Sequence, residues 1–281
     1  MVVGILMVVV LAVFAQAMMR ATERRTAQAG ASAARLALLD QALANFVAQH
    51  RRLPCPARGS IASGAASAGV ETLNPGNGAC NPADQADGVV PWVSLGLADS
   101  DALDPWHGRI SYRVQAALTN SLTSAMNMSW CAAGGTPSTG AGAALTCAAN
   151  CTGNACTAPN DYLYGRGLAL KDGAGAWLNQ PSPAWPGAPA PRPASNGAAY
   201  VLVVHGPNGA GAYNAAGLFQ TGAASGTMEA QNANRQALVA SSVFIDAARN
   251  ISAGTSYFDD ELSHPTVSAV LARAGLGPRP H

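Results

Sequence analysis

The first fifty residues carry one continuous helical pattern with two different halves. Residues 1–19 are apolar except for Gln16, and at 1.5 Å per residue they would span about 28 Å, close to the hydrocarbon thickness of a bilayer. Between residues 21 and 50, six positions recur at spacings of three and four, which places them on one helix face: Leu36, Leu39, Leu43, Phe46, Val47 and His50. The pattern predicts one long helix with a transmembrane half and an amphipathic half.

Shorter apolar segments after this helix predict strands. Pro54 and Pro56 prevent the helix from continuing, because proline lacks an amide proton and disfavours helix before it. Ile110, Tyr112 and Val114 alternate with Ser111 and Arg113, which is the pattern of a half-buried strand.

Later segments predict a second strand and a final helix. The AYVLVVH segment at 199–205 predicts a buried strand, and the glycine-rich residues 206–211 predict a turn after it. Ser263 can cap a last helix with Pro265 at its first position and Gly275 at its end. The expected fold is α+β, with the long helix packed on a small antiparallel β-sheet head that has long loops.

This order divides the chain into a helix, residues 1–52, and a globular head, residues 53–281. Residues 118–128 could form a short helix. A cysteine-rich insertion at 131–156 and a Pro/Ala/Trp-rich loop at 181–193 have no role that the pattern reveals.

Charge narrows the classes of protein that fit. Only 11% of the 281 residues are charged, with a formal net charge of +1, whereas ordinary soluble domains have about 25%. A nucleic-acid partner is not expected, because binding phosphates needs a basic surface. The low fraction of charged residues also excludes a highly charged disordered chain.

The six cysteines favour disulfides and an oxidising compartment: Cys55, Cys80, Cys131, Cys147, Cys151 and Cys156. The pairing cannot be deduced, but a Cys55–Cys80 bridge is preferred because it would tie the end of the helix to the first loop. The other four would then pair among themselves. Zinc binding is the alternative for these four, although their spacing lacks the short C-x2-4-C pairs of structural zinc sites.

Two readings of the N-terminus compete. The apolar residues 1–19 can anchor the chain in a membrane. Alternatively, the AQA segment at 15–17 can be a signal-peptide cleavage site, although no basic region precedes it. Four arginines follow the run: Arg20, Arg24, Arg25 and Arg35. The positive-inside rule would leave the head in the cytoplasm, which conflicts with the cysteines unless a basic leader precedes Met1.

Several segments together resemble the type IV pilin-like family of minor pilins and type II secretion pseudopilins. MVVGILM at 1–7 is similar to the apolar start of the mature helix, and LPCPA at 53–57, GVVPWVSLGL at 88–97, DPW at 104–106 and the HGPNG and FDDEL segments follow in the family's order. His107 stands where glycine is usual. The motif residues are Pro54, Trp92, Asp104, Trp106, Tyr112, His205, Asn208, Asp259 and Asp260.

The resemblance implies a structural subunit of a pilus-like or pseudopilus filament, not an enzyme. Its helix would be held in the bacterial inner membrane as a single pass, with the head in the periplasm, and would then pack against other pilin-like subunits. A leader, a cleavage-site glycine and an F-[ST]-L-x-E start would lie upstream of Met1. The alternative is a signal-anchored periplasmic binding or scaffolding domain that forms no filament.

Motifs of catalysis and of cofactor binding are absent from the sequence. It has no G-x-S-x-G and no H-E-x-x-H, its five histidines are scattered, and the glycines after residue 205 lack the Lys-Ser/Thr of a phosphate loop. Asp259, Asp260 and Glu261 form the one acidic cluster. Some pseudopilins bind calcium near the C-terminus, so calcium is the one cofactor considered. The alternative is that these acidic residues form a solvated strand end that binds no ion.

Overall fold

A computed structural model describes residues 2–121, 126, 167–181, 197–235, 238, 242–252, 254 and 256–276. In the first helix, side chains are described from residue 13 onward. The cysteine-rich insertion 131–156, most of the Pro-rich loop 181–193 and most of the predicted helix 118–128 lie outside the described residues.

The long helix, α1, covers Val2–His50. It ends where predicted: Arg51 adopts a left-handed φ of 57°, and the two prolines follow. Five of the six residues predicted for the buried face are buried, and four of them belong to the larger core cluster of the head, namely Leu36, Leu39, Leu43 and Val47. His50 is the exception, because it lies exposed in the last turn.

Three further helices and ten strands complete the described part of the head. The helices are α2 (Pro82–Ala86), α3 (Met228–Asn232) and α4 (Val267–Arg273). The strands are β1 (Ala57–Arg58), β2 (Gly88–Val89), β3 (Gly108–Arg109), β4 (Ser111–Val114), β5 (Ala169–Asp172), β6 (Trp177–Asn179), β7 (Tyr200–Val204), β8 (Tyr213–Asn214), β9 (Val243–Asp246) and β10 (Glu261–Ser263). Two 3-10 turns lie at Asp99–Ala102 and Ala116–Leu118.

The main sheet is antiparallel, in the order β1-β2-β4-β7-β10. β4 and β7 are its centre, with Tyr112 opposite Leu202. One face of this sheet packs against α1 and α4, and their apolar side chains form the larger core cluster. The expected α+β class and the packing of helix on sheet are confirmed.

Two smaller sheets lie beside it, β3-β8 and β6-β5-β9. β5 and β9 pair in parallel, with Leu170 opposite Phe244, so the expectation of a purely antiparallel head is wrong in this part. A parallel pair requires a long connection between its strands, and about seventy residues separate β5 from β9.

Two local predictions are corrected. β4 is buried on both faces, not half-buried, because the segment after α3 covers the face that carries Ser111 and Arg113. The last helix is capped by Thr266, whose side chain accepts from the Ala269 amide, and not by Ser263, which ends β10.

Within the described residues, no helix contains an apolar stretch long enough to cross a membrane. The side chains of residues 1–12, which make up most of the predicted span 1–19, are outside this description.

Candidate functional site

The N-terminal part of α1 extends beyond the head and has no covering partner among the described residues. Residues 13–19 are apolar except for Gln16, and residues 20–24 are mostly polar. Residues 13–24, called the projecting segment from here on, are all exposed. Phe14 is 68% exposed and Met18 65%, and Val13 and Met19 lie on other sides of the helix. A contiguous exposed apolar surface of this kind is typical of a site of interaction.

Polar contacts fix the second half of α1 to the head. Asp40 accepts hydrogen bonds from the hydroxyls of Tyr200 (2.8 Å) and Ser263 (2.7 Å), and Arg273 lies 3.6 Å from it. Burial raises the pKa of Tyr200 well above its usual value, and the charge of Asp40 acts in the same direction. The sequence pattern places Asp40 on the polar face, whereas the structure makes it a tether to β7, β10 and α4.

The end of α1 is held by several of the motif residues. Cys55 and Cys80 form the preferred disulfide, and the buried Tyr112 hydroxyl donates to the carbonyl of Pro54 (3.1 Å). Arg52 binds Glu71 through two hydrogen bonds of 2.8 and 2.7 Å. The predicted bridge is confirmed, while the pairing predicted for the other four cysteines lies outside the described residues.

The DPW segment forms a turn, as predicted. The Asp104 carboxylate accepts from the amides of Trp106 (2.9 Å) and Gly108 (2.8 Å). His107 is exposed with a φ of 66°, a backbone conformation that glycine adopts without cost. Trp92 is buried with the guanidinium of Arg109 over its ring. These residues build the head and form no pocket of reactive groups.

A series of hydrogen-bonded, buried polar side chains lies at the centre of the sheet. Asn234 donates to the Ser111 hydroxyl (2.6 Å), which lies 2.6 Å from Nε2 of His205. Nδ1 of His205 faces Asp260 at 3.5 Å. Because the Ser111 oxygen accepts from Asn234, its own proton can go to Nε2, which leaves the proton of a neutral imidazole on Nδ1, toward Asp260.

The order of these groups is that of a serine hydrolase triad. Ser111 and His205 are, however, fully buried, so a substrate carbonyl cannot reach the Ser111 oxygen in this conformation. The Nδ1–Asp260 distance also exceeds hydrogen-bond length. The hydrogen bonds of this series join β4, the residue after β7 and the segment after α3, and they leave Nδ1 of His205 without a partner among the described residues.

Three buried carboxylates lie at the His205 end of this series of side chains. Glu229, on α3, meets Asp259 and Asp260, just before β10, with one oxygen of each within 4.8 Å of the others. We call these three residues the carboxylate cluster; they are 5%, 2% and 3% exposed, respectively. Gly206, with a φ of 62°, makes room for it, because a Cβ there would lie 2.7 Å from Cγ of Asp259.

Neighbouring side chains and amides bind part of the cluster. Asn208 donates to both oxygens of Glu229 (3.1 and 3.2 Å), Asn232 to Asp260 (2.9 Å) and the Tyr257 hydroxyl to Asp259 (2.7 Å). Burial, the hydrogen bond with Asp259 and the charges of both aspartates together raise the pKa of Glu229 to about 8.

The sequence analysis identified some of the residues of the carboxylate cluster and its surroundings. His205, Asn208, Asp259 and Asp260 were named only as motif residues, and the structure brings them together in one region. The alternative of a solvated strand end is wrong for both aspartates, because α3 and the segment 205–211 cover them. Glu261 takes no part in the cluster and starts β10.

Glu229 was missed. Its nearest sequence signal is the TMEAQN segment at 227–232, in which Thr227 caps a helix by accepting from the Ala230 amide. A cap predicts where the helix starts but not which face meets the aspartates thirty residues later.

No protein-family model matches the chain, and no curated protein or solved structure matches it either.

Proposed function

We propose that the chain is a structural subunit of a pilin-like filament, of the type IV pilus or type II secretion pseudopilus class. The observation that carries the proposal is the projecting segment, whose apolar residues 13–19 are exposed and continue without a break into a helix docked on the head. The resemblance in sequence supports it, and no catalytic role is part of it.

The physical need for a partner follows from the exposure of this surface. Fully covering a Phe or Met side chain contributes about 1.5–3 kcal/mol, and here several such side chains lie in water. Residues 13–31 extend for about 28 Å before Ser32 becomes buried. Packing against the same segment of neighbouring subunits would cover all sides of the helix, which a single flat partner cannot do.

The head has features suited to the periplasm. The Cys55–Cys80 disulfide persists in oxidising compartments. In this proposal the helix is held in the inner membrane before assembly, the head lies in the periplasm, and the filament forms by helix packing.

Photo-cross-linking tests the proposal in bacteria that carry the gene. A photoreactive phenylalanine analogue replaces Phe14 in one variant and Leu218, which is similarly exposed on the head, in another. We expect the Phe14 variant to give an adduct with the N-terminal helix of a second copy or of another pilin-like chain, identified by mass spectrometry. The Leu218 variant should give no helix adduct. Absence of a helix adduct at Phe14 would overturn the proposal.

The mature N-terminus distinguishes the proposed filament subunit from the alternative, a signal-anchored domain. A signal-anchored binding or scaffolding domain predicts no processing, or cleavage after Ala17, which would remove most of the apolar run. A filament subunit retains it. Intact-mass measurement of the protein from cells gives the answer, and cleavage after Ala17 would exclude filament assembly through this helix.

A further inference from the structure

Two arginines follow the apolar residues of the projecting segment and have no acidic partner. Arg20 and Arg24 are exposed, and neither forms an ion pair within the part of the chain that the structure describes, not even with the nearby Glu23. Because they are four residues apart, they are neighbours on one helix face, where like charges repel each other. Residues 20–25 have a net charge of +2, so uncompensated positive charge lies directly beside an apolar surface.

The next arginine of α1 is paired with the head. Nη1 of Arg35 donates to the carboxylate of Asp101 at 2.8 Å. Arg20 lies twelve residues before Ser32, the first buried side chain described in α1, which is about 18 Å along the helix. An anion that pairs with Arg20 must therefore come from outside the described residues.

The threonines around these arginines need no water. The Thr22 hydroxyl donates to the carbonyl of Met18 (3.0 Å), and the Thr26 hydroxyl lies 3.2 Å from the carbonyl oxygen of Thr22 and 2.9 Å from that of Glu23. Such bonds within a helix satisfy the hydroxyl group without solvent. This part of α1 is therefore suited to a boundary between an apolar phase and water.

We propose that Arg20 and Arg24 bind the phosphate groups of anionic phospholipids at the membrane surface on the side of the head. A bilayer offers what the helix requires in the same order, first hydrocarbon for residues 13–19 and then a layer of phosphates. A guanidinium group binds phosphate oxygens through two parallel hydrogen bonds. The methylene groups of arginine can stay on the apolar side while the charged end reaches the headgroups.

This inference rests on the membrane-held helix of the proposed function and does not require filament assembly. It applies to either orientation of the helix, because the two arginines lie between the apolar residues and the head in both. Residues 25–31, about 11 Å of helix, would then separate the phosphate layer from the head.

Native mass spectrometry of the full chain tests the inference. The chain is held in micelles of a non-ionic detergent with equal amounts of phosphatidylglycerol, which is anionic, and phosphatidylcholine, which has no net charge, and the bound lipids of each class are counted. Since each arginine at an anionic surface favours binding by about fivefold, we expect about tenfold or greater preference for phosphatidylglycerol. Raising the ammonium acetate concentration should reduce this preference, because salt screens exposed charges.

Three exposed-site variants identify the residues responsible. Arg20→Gln and Arg24→Gln should each lower the preference about fivefold, and the double variant should lower it more than about tenfold. Arg51→Gln is the matched control, because Arg51 is also exposed but lies about 40 Å from Arg24 along α1. It should keep the full preference, and all these variants should keep the wild-type Tm.

The outcomes separate this inference from the proposed function. Equal binding of the two lipids, an unchanged preference in the double variant, or an equal loss in the Arg51→Gln control would overturn the inference and leave the membrane-held helix intact. A chain that binds neither lipid would overturn both.

Discussion

The disulfide offers the most quantitative check on the head. Cys55 and Cys80 are 25 residues apart, and the bridge restricts the unfolded chain by closing this loop. In the chain-entropy description, a loop of this length contributes about 3.5 kcal/mol at 25 °C. The Cys55→Ala/Cys80→Ala double variant should therefore unfold with a free energy lower by about that amount.

Single variants distinguish a bridge from two independent buried thiols. Because either substitution breaks the same bond, Cys55→Ala, Cys80→Ala and the double variant should lose about the same free energy of unfolding. The measurement is urea unfolding followed by tryptophan fluorescence, at mildly acidic pH, where thiolate exchange is slow. Single losses that add up to the double loss, or a double loss under about 1 kcal/mol, would refute the reasoning.

Three further predictions concern the helix and the DPW turn. Leu43→Ala, at a fully buried site, should lower the free energy of unfolding by about 3–4 kcal/mol, whereas Leu38→Ala on the exposed side should change it by less than about 0.5; urea unfolding measures both. Asp40→Ala removes the acceptor of the buried Tyr200 hydroxyl and should cost about 1–3 kcal/mol, seen as a lower Tm, while Asp40→Asn should cost less. His107→Gly should raise the Tm slightly, because it relieves the left-handed backbone; a lower Tm would mean that the imidazole stabilises the turn.

The sequence pattern was sufficient for elements whose signal is local. The three-and-four spacing of Leu36, Leu39 and Leu43 identified the helix face that enters the core, because periodicity directly reports which side is apolar. His50 fits the same spacing but is the last residue of α1, where its side chain is exposed beside the ring of Phe46. The β7 strand was equally clear, since a run of five buried apolar and aromatic residues has few other readings.

Non-local contacts explain why the sequence pattern did not predict the positions of some polar residues. Arg113 alternates with apolar residues and reads as solvent-facing, yet its guanidinium is buried against the Ala86 carbonyl (3.0 Å), which no local pattern encodes. Glu229 and Asp40 are ordinary exposed-type residues in sequence. The burial of Glu229 and the contacts of the half-buried Asp40 depend on segments thirty and more than one hundred and fifty residues away, so only the tertiary structure reveals them.

The low charge of the chain has a structural consequence for assembly. The chain has 16 basic and 15 acidic residues, and among the residues that the structure describes eight charged side chains are buried: Arg52, Asp84, Asp104, Arg109, Arg113, Glu229, Asp259 and Asp260. Of the 16 basic and 15 acidic residues, their burial leaves at most 13 and 10 for the surface. Copies with few surface charges repel one another little, because like charges oppose close packing only over about 8 Å at physiological salt. In the filament that we propose, a head that uses its charges internally would be suited to sit beside identical heads.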